Sequence, residues 1–326
     1  MDQPRLSIAL CTCNGPKYLP AQLQSIGQQT RLPDQLVICD DHSTDNTLEV
    51  IANFSRGAAF PVEVHRNPLN LGSTRNFEQA ISLCTGEIIM LCDQDDIWRR
   101  EKLFVMEAAF KASPGAALVF SDALIVDEHS DSTGRRLWQA SGFTGGLRAQ
   151  AAQGDLFHVL LTDSRVTGAT MAFRAGLKSL LLPIPQTWVH DEWIALLASA
   201  IAPYVILDQP LVDYRQHAGQ QVGPVPFTIS GRVKPVFKQH RVRRSHYAEM
   251  VPKFQLPLER LAQSAVDQCP AKYIAALQEK IEHMEMLSSL PEERWLRPPI
   301  IFREIASGRY QRCSRGWITV AKDLLL

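Results

Sequence analysis

The sequence predicts an α/β fold: a doubly wound sheet of alternating strands and helices, followed by a helical C-terminal appendage. Two observations carry this prediction. Short apolar runs alternate with segments of helical periodicity through the first two-thirds of the chain. After about residue 223, prolines, a basic stretch and longer helical patterns replace that alternation. We therefore expect a sheet domain over residues 1–223 and a basic, mostly helical extension over residues 224–326.

Composition limits the classes of partner and the cellular compartment. The 326 residues are 45% hydrophobic with a formal net charge of zero, so no general attraction to nucleic acid is expected. The seven cysteines are scattered and mostly lie inside apolar runs, which predicts buried, reduced thiols. Neither a signal peptide nor an apolar run of about 18 residues is apparent. These features predict a cytoplasmic protein.

The first half of the chain supplies the clearest strands and helices. Strands are predicted at residues 6–11, 35–39, 62–64 and 88–92, and the last is apolar throughout, as in the centre of a parallel sheet. The intervening helices each place apolar residues on one face: Leu19, Leu23 and Ile26, then Leu48, Ile51 and Phe54, then Phe77, Ile81 and Cys84. Ser43 and Asp45 are candidate N-caps of the second helix.

The elements that follow are more widely spaced. Strands are predicted at residues 117–120, 123–126 and 166–173, and the polar, glycine-rich residues 127–155 are expected to form a long loop. A helix begins at His190-Asp191 and carries Ile194, Leu197 and Ile201 on one face. Two last strands are predicted at residues 205–207 and 211–214.

Acidic residues follow two of the predicted strands, where ligands bind in sheets of this kind. Asp93 and Asp95 flank Gln94 directly after the strongest strand. On an extended segment their side chains point the same way, roughly 6–7 Å apart. Such a pair suits a divalent cation that is already bound to a diphosphate, because Mg²⁺ takes one or two carboxylates plus phosphate oxygens. The alternative is a solvated acidic turn.

Three further groups are candidates for chemistry. Asp40 and Asp41 end the second strand, where they either accept hydrogen bonds from a nucleoside or cap a helix. Asp191 lies in the first turn of its helix, whose dipole keeps the carboxylate ionised as a general base or merely compensates the helix terminus. Arg215 and His217 follow the last strand, where they either meet a phosphate and a metal or form a polar loop.

A basic stretch follows the predicted sheet domain. Its side chains either form a solvated helix face or dock onto anionic lipid head groups, and both interpretations stay open. The stretch comprises Arg232, Lys234, Lys238, Arg241, Arg243 and Arg244.

Taken together and in order, these motifs resemble family 2 glycosyltransferases with the GT-A fold. The resemblance covers residues 6 to about 223, and the form of residues 93–98 together with residues 70–77 is similar to a rhamnosyltransferase-type branch. The matching segments are Ser7-Ile8-Ala9-Leu10-Cys11-Thr12-Cys13-Asn14, Val37-Ile38-Cys39-Asp40-Asp41, Asn70-Leu71-Gly72-x-x-Arg75-Asn76-Phe77, Asp93-Gln94-Asp95-Asp96-Ile97-Trp98, Lys102-Leu103, Ser121-Asp122, Gly168, His190-Asp191 and Tyr214-Arg215-Gln216-His217.

The resemblance implies a Rossmann-like mixed sheet flanked by helices and an inverting, metal-dependent transfer of one sugar. The donor would be a dTDP- or UDP-sugar, with L-rhamnose as a candidate, and the cofactor Mg²⁺ or Mn²⁺. The acceptor would be a hydroxyl of a glycan or lipid-linked glycan in a bacterial cell-surface polysaccharide or lipopolysaccharide precursor. Peripheral contact with the cytoplasmic face of the inner membrane would fit such an acceptor.

The resemblance also assigns roles to individual residues. Asp191 would deprotonate the acceptor, with Glu192 as a rival because His190 stands where the family usually has a glutamate. Asp95 would be the main metal ligand, assisted by Asp93 and His217. Residues expected at the donor are Thr12, Asn14, Asp40, Asp41, Arg75, Asp93 and Arg215.

Two other classes of function are alternatives. A sugar-phosphate nucleotidyltransferase also uses acidic residues and Mg²⁺, but usually needs a glycine-rich basic loop, whereas residues 12–17 contain one glycine and one lysine. A catalytically silent carbohydrate-binding protein on the same fold would not need Asp93, Asp95 and Asp191 together.

Overall fold

The computed structural model describes residues 3–217, 236–263 and 269–325. The chain divides into two compact units, one formed by Met1–Gly154 and Arg165–Pro224, the other by Asp155–Ser164 and Val225–Leu326. The predicted domain boundary after residue 223 lies outside the described residues and stays a prediction. The role predicted for the basic residues within 232–243 also stays a prediction, because their side chains lie outside the described part.

The described part of the first unit forms one mixed sheet of nine strands. In sheet order the strands run β3-β2-β1-β4-β8-β6-β9-β5, and β7 pairs with β6. β1 to β4 are parallel to one another, whereas β8 runs antiparallel to both β4 and β6. The strands are β1 Leu6–Thr12, β2 Gln35–Asp40, β3 Val62–Arg66, β4 Ile88–Asp93, β5 Ile97–Trp98, β6 Leu118–Val126, β7 Ser132–Arg136, β8 Met171–Arg174 and β9 Tyr204–Arg215.

The helices occupy both units. α7 and all helices from α10 to α14 belong to the second unit, whereas the other helices belong to the first. In chain order they are α1 Leu19–Gly27, α2 Thr47–Ser55, α3 Ser73–Leu83, α4 Lys102–Ala112, α5 Leu137–Ser141, α6 Gly145–Gln150, α7 Leu156–Thr162, α8 Lys178–Leu181, α9 His190–Ile201, α10 Val236–Gln263, α11 Ala271–Ser288, α12 Arg297–Ala306, α13 Arg309–Cys313 and α14 Trp317–Leu325. In the described residues, no helix is both long and apolar enough to cross a membrane.

Most predicted elements are confirmed, and the exceptions have clear causes. The strand pairs predicted at 117–126 and 205–214 are each one continuous strand, because β6 and β9 stay paired through register shifts at Ser121–Leu124. Residues 127–155 are not one long loop: they contain β7, α5 and α6. Trp138 and Phe143 are buried there and pack against Phe120. The strand predicted at 166–173 begins only at Met171, after a 3₁₀ turn at Gly168–Thr170.

The second unit has its own apolar core, built by α10, α11, α12, α13 and α14. Met284, Leu287, Ile301, Tyr310 and Val320 belong to this core. Buried polar groups are paired within it. The Lys280 ammonium donates to the Cys313 carbonyl at 2.6 Å, and His283 Nδ1 lies 2.7 Å from the Glu304 carboxylate. All seven cysteines of the chain are unpaired, and five are buried.

The ends of three parallel strands meet at one edge of the sheet. Thr12 of β1 lies beside Asp40 of β2, and Cys11 lies beside Asp93 of β4. The buried Asp40 carboxylate fastens this edge, because it accepts hydrogen bonds from Thr12 Oγ1 at 2.9 Å, from Ser43 N at 2.9 Å and from Ser43 Oγ at 2.5 Å. Of the two candidate N-caps of α2, Ser43 therefore donates hydrogen bonds to Asp40. Asp45 accepts a hydrogen bond from the backbone N–H of Thr47 at the start of α2.

Replacing Asp40 tests how much its hydrogen bonds stabilise this edge of the sheet. Asp40→Ala removes three hydrogen bonds and leaves the Ser43 N–H buried without its acceptor, so we expect the free energy of unfolding to fall by about 3 kcal/mol. Urea denaturation measures the change. Asp131→Ala, at an exposed position, is the matched control and should stay within about 0.5 kcal/mol of the wild type. Equal stability of the two variants would show that Asp40 does not hold the edge.

Candidate active site

A cavity of about 250 Å³ opens at the edge where the strands end. It is bordered by the carboxyl ends of β1 and β4, the loop after β2, the first turns of α3 and α9, and the end of β9. Its described lining residues are Cys11, Thr12, Cys13, Asn14, Asp41, Ser73, Asn76, Phe77, Asp93, Gln94, Asp95, Thr167, Val189, His190, Asp191, Tyr214 and His217.

Four of the predicted carboxylates, those of Asp41, Asp93, Asp95 and Asp191, line this cavity. Asp93 and Asp95 come from the end of β4, and Asp191 comes from the start of α9, almost 100 residues later. Burial, together with the negative charges of Asp95 and Asp191, raises the pKa of Asp93 to about 7. The arrangement on which the sequence interpretation depends, carboxylates from distant segments in one cleft, is therefore present.

Asp191 is fixed by backbone donors. Its carboxylate accepts hydrogen bonds from Gly168 N at 3.0 Å and from Glu192 N at 2.8 Å. Burial raises the pKa of Asp191, and these N–H donors oppose the rise because they stabilise the charged form. Glu192 is not among the described residues that line the cavity. Of the two candidate bases, Asp191 is therefore the one that lines the cavity, and its role as a base stays a prediction.

His190 forms part of the cavity wall as a neutral side chain. Burial lowers its pKa to about 3, and its ring stacks on Phe77 with centroids 3.9 Å apart. Neither ring nitrogen has a hydrogen-bond partner within the described residues. The stack joins the first turn of α3 to the first turn of α9 and so holds Asp191 in place.

Asp95 is paired rather than free. Its Oδ2 lies 2.9 Å from His217 Nε2, and both side chains are about 15% exposed. The two residues predicted to bind a metal together are therefore adjacent, although 122 positions separate them in the chain. Within the described residues, no three His, Cys, Asp or Glu side chains converge to enclose a metal ion. The set fits a hard cation held by carboxylate oxygens and completed by a ligand's own phosphates.

The two predicted donor-binding arginines lie elsewhere in the described structure. Arg75 pairs with Glu78 at 2.9 Å and does not line the cavity. Arg215 is buried, and its guanidinium donates to the Asp95 carbonyl at 2.7 Å and to the Ser130 hydroxyl at 2.9 Å. Arg215 thereby supports the segment that carries Asp95. Direct contact of either arginine with a donor stays a prediction.

The cavity also contains residues predicted to meet the nucleoside. Thr12, Asn14 and Asp41 line it, whereas the fully buried Asp40 does not. The Asp41 carboxylate accepts from Leu71 N at 2.7 Å and from Gly72 N at 2.9 Å, which orders the turn before α3. Asp40 and Asp41 therefore have structural roles in this edge, and their contact with a nucleoside stays a prediction.

Two residues to which the sequence analysis assigned no role support the site. Gln94, the middle residue of the acidic motif, bridges the loop after β1: its Oε1 accepts from Cys13 N at 2.9 Å, and its Nε2 donates to the Cys13 carbonyl at 3.1 Å. Lys102 is fully buried, and its ammonium donates to the Ala169 carbonyl at 2.6 Å over the Trp98 ring. Burial lowers the Lys102 pKa to about 7, and the nearby carboxylates of Asp96 and Asp93 oppose that shift.

Comparison with known proteins agrees with the motifs. The family described as glycosyl transferase family 2 matches residues 7–173, just over half of the chain, and the protein belongs to this family. Abequosyltransferase RfbV of Salmonella typhimurium is 33% identical over 104 residues, 31% of each chain. The glucosyltransferase WfgD of Escherichia coli is 26% identical over 130 residues, which are 40% of this chain and 50% of WfgD. The matched segments span about a third to a half of these relatives.

Solved structures agree on the fold. TarS of S. aureus, residues 1–349 in complex with UDP-GlcNAc, has a TM-score of 0.54 and 18% identity, covering 95% of this chain and 89% of that one. The complex of the same protein with UDP has a TM-score of 0.53. The predicted GT-A architecture, a mixed sheet with flanking helices and a helical C-terminal region, is confirmed. The rhamnosyltransferase-type branch stays a prediction.

A substitution at Gly15 tests the hydrogen bonds between Gln94 and the loop after β1. A Cβ at this position would lie 2.1 Å from Gln94 Oε1, so Gly15→Ala must displace Gln94 from Cys13. We expect the free energy of unfolding to fall by about 1–3 kcal/mol. Gly146→Ala in α6 is the matched control, since its Cβ meets nothing within 4 Å, and it should be neutral or slightly stabilising. Chemical denaturation compares the two; an unchanged Gly15→Ala protein would refute the Gln94 bridge.

Proposed function

We propose that this protein transfers one sugar, with inversion, from a nucleotide-sugar donor to a hydroxyl group of a glycan acceptor. The observation that carries the proposal is the shared cavity of Asp95 and Asp191. A single in-line displacement needs groups that bind the leaving diphosphate and a base that accepts the proton of the incoming alcohol. These two sets of groups must lie on opposite sides of the anomeric carbon. Asp93 and Asp95 lie at the end of β4 and Asp191 lies on α9, so the cavity offers both functions from separate elements.

The proton and the electron pairs have defined destinations in this scheme. Asp191 accepts the proton of the acceptor hydroxyl while the alcohol oxygen attacks the anomeric carbon. The bond from that carbon to the diphosphate oxygen breaks, and the nucleoside diphosphate leaves with its electron pair. The Gly168 and Glu192 N–H groups hold the Asp191 carboxylate in position for this transfer.

A divalent cation, Mg²⁺ or Mn²⁺, is the cofactor that fits the acidic side of the cavity. Asp95 would hold it, with Asp93 or His217 as the second protein ligand, and phosphate oxygens of the donor would complete its coordination. When bound, such a cation supplies positive charge that stabilises the departing diphosphate. It would also relieve the repulsion between carboxylates that raises the pKa of Asp93.

The nucleoside, uridine or thymidine, would lie against Thr12, Asn14 and Asp41. The names of relatives support a glycan or lipid-linked acceptor: WfgD is a UDP-Glc:α-D-GlcNAc-diphosphoundecaprenol β-1,3-glucosyltransferase, and RfbV is an abequosyltransferase. We therefore favour a role in building a bacterial cell-surface polysaccharide, at the cytoplasmic face of the membrane. L-rhamnose remains the candidate sugar from the sequence motifs.

Substitution of the base should separate catalysis from binding. Asp191→Asn keeps the shape of the side chain but cannot take the proton, so we expect turnover to fall by roughly a thousandfold with donor affinity nearly unchanged. Glu192→Gln is the matched neighbour and should keep most of the activity. Release of nucleoside diphosphate in the presence of acceptor measures turnover. Near wild-type turnover of Asp191→Asn, or loss in Glu192→Gln alone, would reassign the base.

Nucleotide binding should depend on a divalent cation through Asp95. We expect UDP or dTDP with Mn²⁺ to raise the melting temperature by several degrees, and either component alone to do less. Asp95→Ala should abolish the joint effect, whereas Asp131→Ala should preserve it. A thermal-shift series of UDP, dTDP and GDP, with and without Mn²⁺, reports base preference and metal dependence together. Equal shifts with and without Mn²⁺ would contradict the metal assignment.

The same assays separate the two other classes of function. A nucleotidyltransferase would bind a nucleoside triphosphate and release pyrophosphate from it with a sugar phosphate. A silent carbohydrate-binding protein would show neither donor hydrolysis nor transfer with Mn²⁺ or Mg²⁺ present. Nucleoside diphosphate released from a nucleotide-sugar supports the proposed transferase over both.

A further inference from the structure

Large apolar side chains are exposed at one place in the second unit. Of the six tryptophans in the chain, Trp98, Trp138, Trp188 and Trp193 are at most 5% exposed, whereas Trp295 and Trp317 are 76% and 66% exposed. Among the described residues, ten large hydrophobic side chains are exposed, and six of them fall between Trp295 and Leu325. Besides the two tryptophans these are Leu296, Phe302, Ile318 and Leu325.

The exposed residues follow helical spacing on two helices. On α12, the residues at i, i+3, i+4 and i+7 that face outward are Pro299, Phe302, Arg303 and Ala306. On α14, the corresponding outward residues are Ile318, Ala321, Lys322 and Leu325. Each stripe therefore holds three apolar residues and one cation, while the opposite side of each helix is buried. We call these two stripes, with Trp295 and Trp317, the aromatic–basic face.

The two helices belong to one packed layer. Ile301 of α12 and Val320 of α14 lie in the same apolar core, and Arg297 Nη1 donates to the Asp323 carbonyl at 3.1 Å. The inner sides of both helices are thus occupied by the unit itself. Their outer sides, which carry the stripes, are exposed.

The charge of this segment is one-sided. Residues 294–325 contain six arginines and one lysine but only two acidic residues, Glu304 and Asp323. Both acids are buried: Glu304 pairs with His283, and Asp323 accepts from the hydroxyls of Tyr247 and Tyr310. Arg303 and Lys322, inside the stripes, form no ion pair within the described residues. Outside the stripes, Arg309, Arg312 and Arg315 pair with Glu282, Glu279 and Asp163, so the cations that the aromatic–basic face presents outward are Arg303 and Lys322.

We propose that the aromatic–basic face docks onto an anionic lipid bilayer, with α12 and α14 lying along the membrane surface. Tryptophan and phenylalanine insert at the depth of the head groups, and arginine and lysine beside them meet lipid phosphates. We favour a membrane over a protein partner because each stripe carries a cation beside its apolar side chains, and lipid phosphates supply the matching negative charge. The inference deepens the membrane contact included in the proposed function, and it rests on residues other than the basic stretch at 232–244.

Vesicle flotation of the full chain tests the docking without using sugar transfer, so it stands or fails separately from the enzymatic proposal. The vesicles are pure phosphatidylcholine or phosphatidylcholine mixed with phosphatidylglycerol. We expect the wild type to float with the anionic vesicles and Trp295→Gln/Trp317→Gln to lose about tenfold in partitioning. Arg303→Gln/Lys322→Gln should lose the preference for anionic over neutral vesicles.

Phe104→Gln is the matched control, since Phe104 is 60% exposed on α4 of the first unit and its loss should leave flotation unchanged. Circular dichroism melting checks that each variant is folded. Tryptophan emission should shift to shorter wavelength on adding anionic vesicles, and the double tryptophan variant should lack that shift. Three results would overturn the proposal: no flotation of the wild type, equal flotation of the double tryptophan variant, or a wild-type dimer in solution that this variant converts to a monomer.

Discussion

Mutual repulsion among carboxylates in one cavity is the constraint around which the first unit is organised. Asp93, Asp95 and Asp191 share the cavity, and the raised pKa of Asp93 reflects burial together with its two negative neighbours. The fold tolerates this repulsion because each charge has local support. Backbone N–H groups hold Asp191, His217 pairs with Asp95, and the buried Lys102 interacts electrostatically with Asp93. A site strained in this way by negative charge is preorganised for a cation.

The scaffold places these charges through hydrogen bonds made by neighbouring acids and amides. Asp40 joins the ends of β1 and β2, Asp41 orders the turn before α3, and Gln94 joins the loops after β1 and β4. Arg215 ties the acidic loop to the segment after β6. Polar residues at the strand ends thus have two roles. Some face the cavity, and others form hydrogen bonds that fix the backbone carrying the cavity residues.

The sequence could predict the sheet and the cavity, but not which polar residues line the cavity and which form hydrogen bonds within the protein. Apolar runs identified β1 to β4, and a parallel sheet brings their acidic ends to one edge, so Asp93 and Asp41 were found. Asp40, Arg75 and Arg215 are residue types that can bind a nucleotide, and only tertiary contacts show that they bond to the protein itself. The sequence does not predict the continuity of β9, because Asp208, Gln209 and Pro210 interrupt its apolar pattern although pairing with β6 resumes at Pro210.

The central claim is that one cavity holds both the metal with its diphosphate and the base. Anomalous scattering at the manganese edge, from crystals grown with Mn²⁺ and UDP, tests it most directly. We predict one peak beside the Asp95 carboxylate and the UDP phosphates, in the cavity that Asp191 also lines. A peak outside this cavity, or UDP bound there without any contact between its phosphates and a metal at Asp95, would contradict the claim.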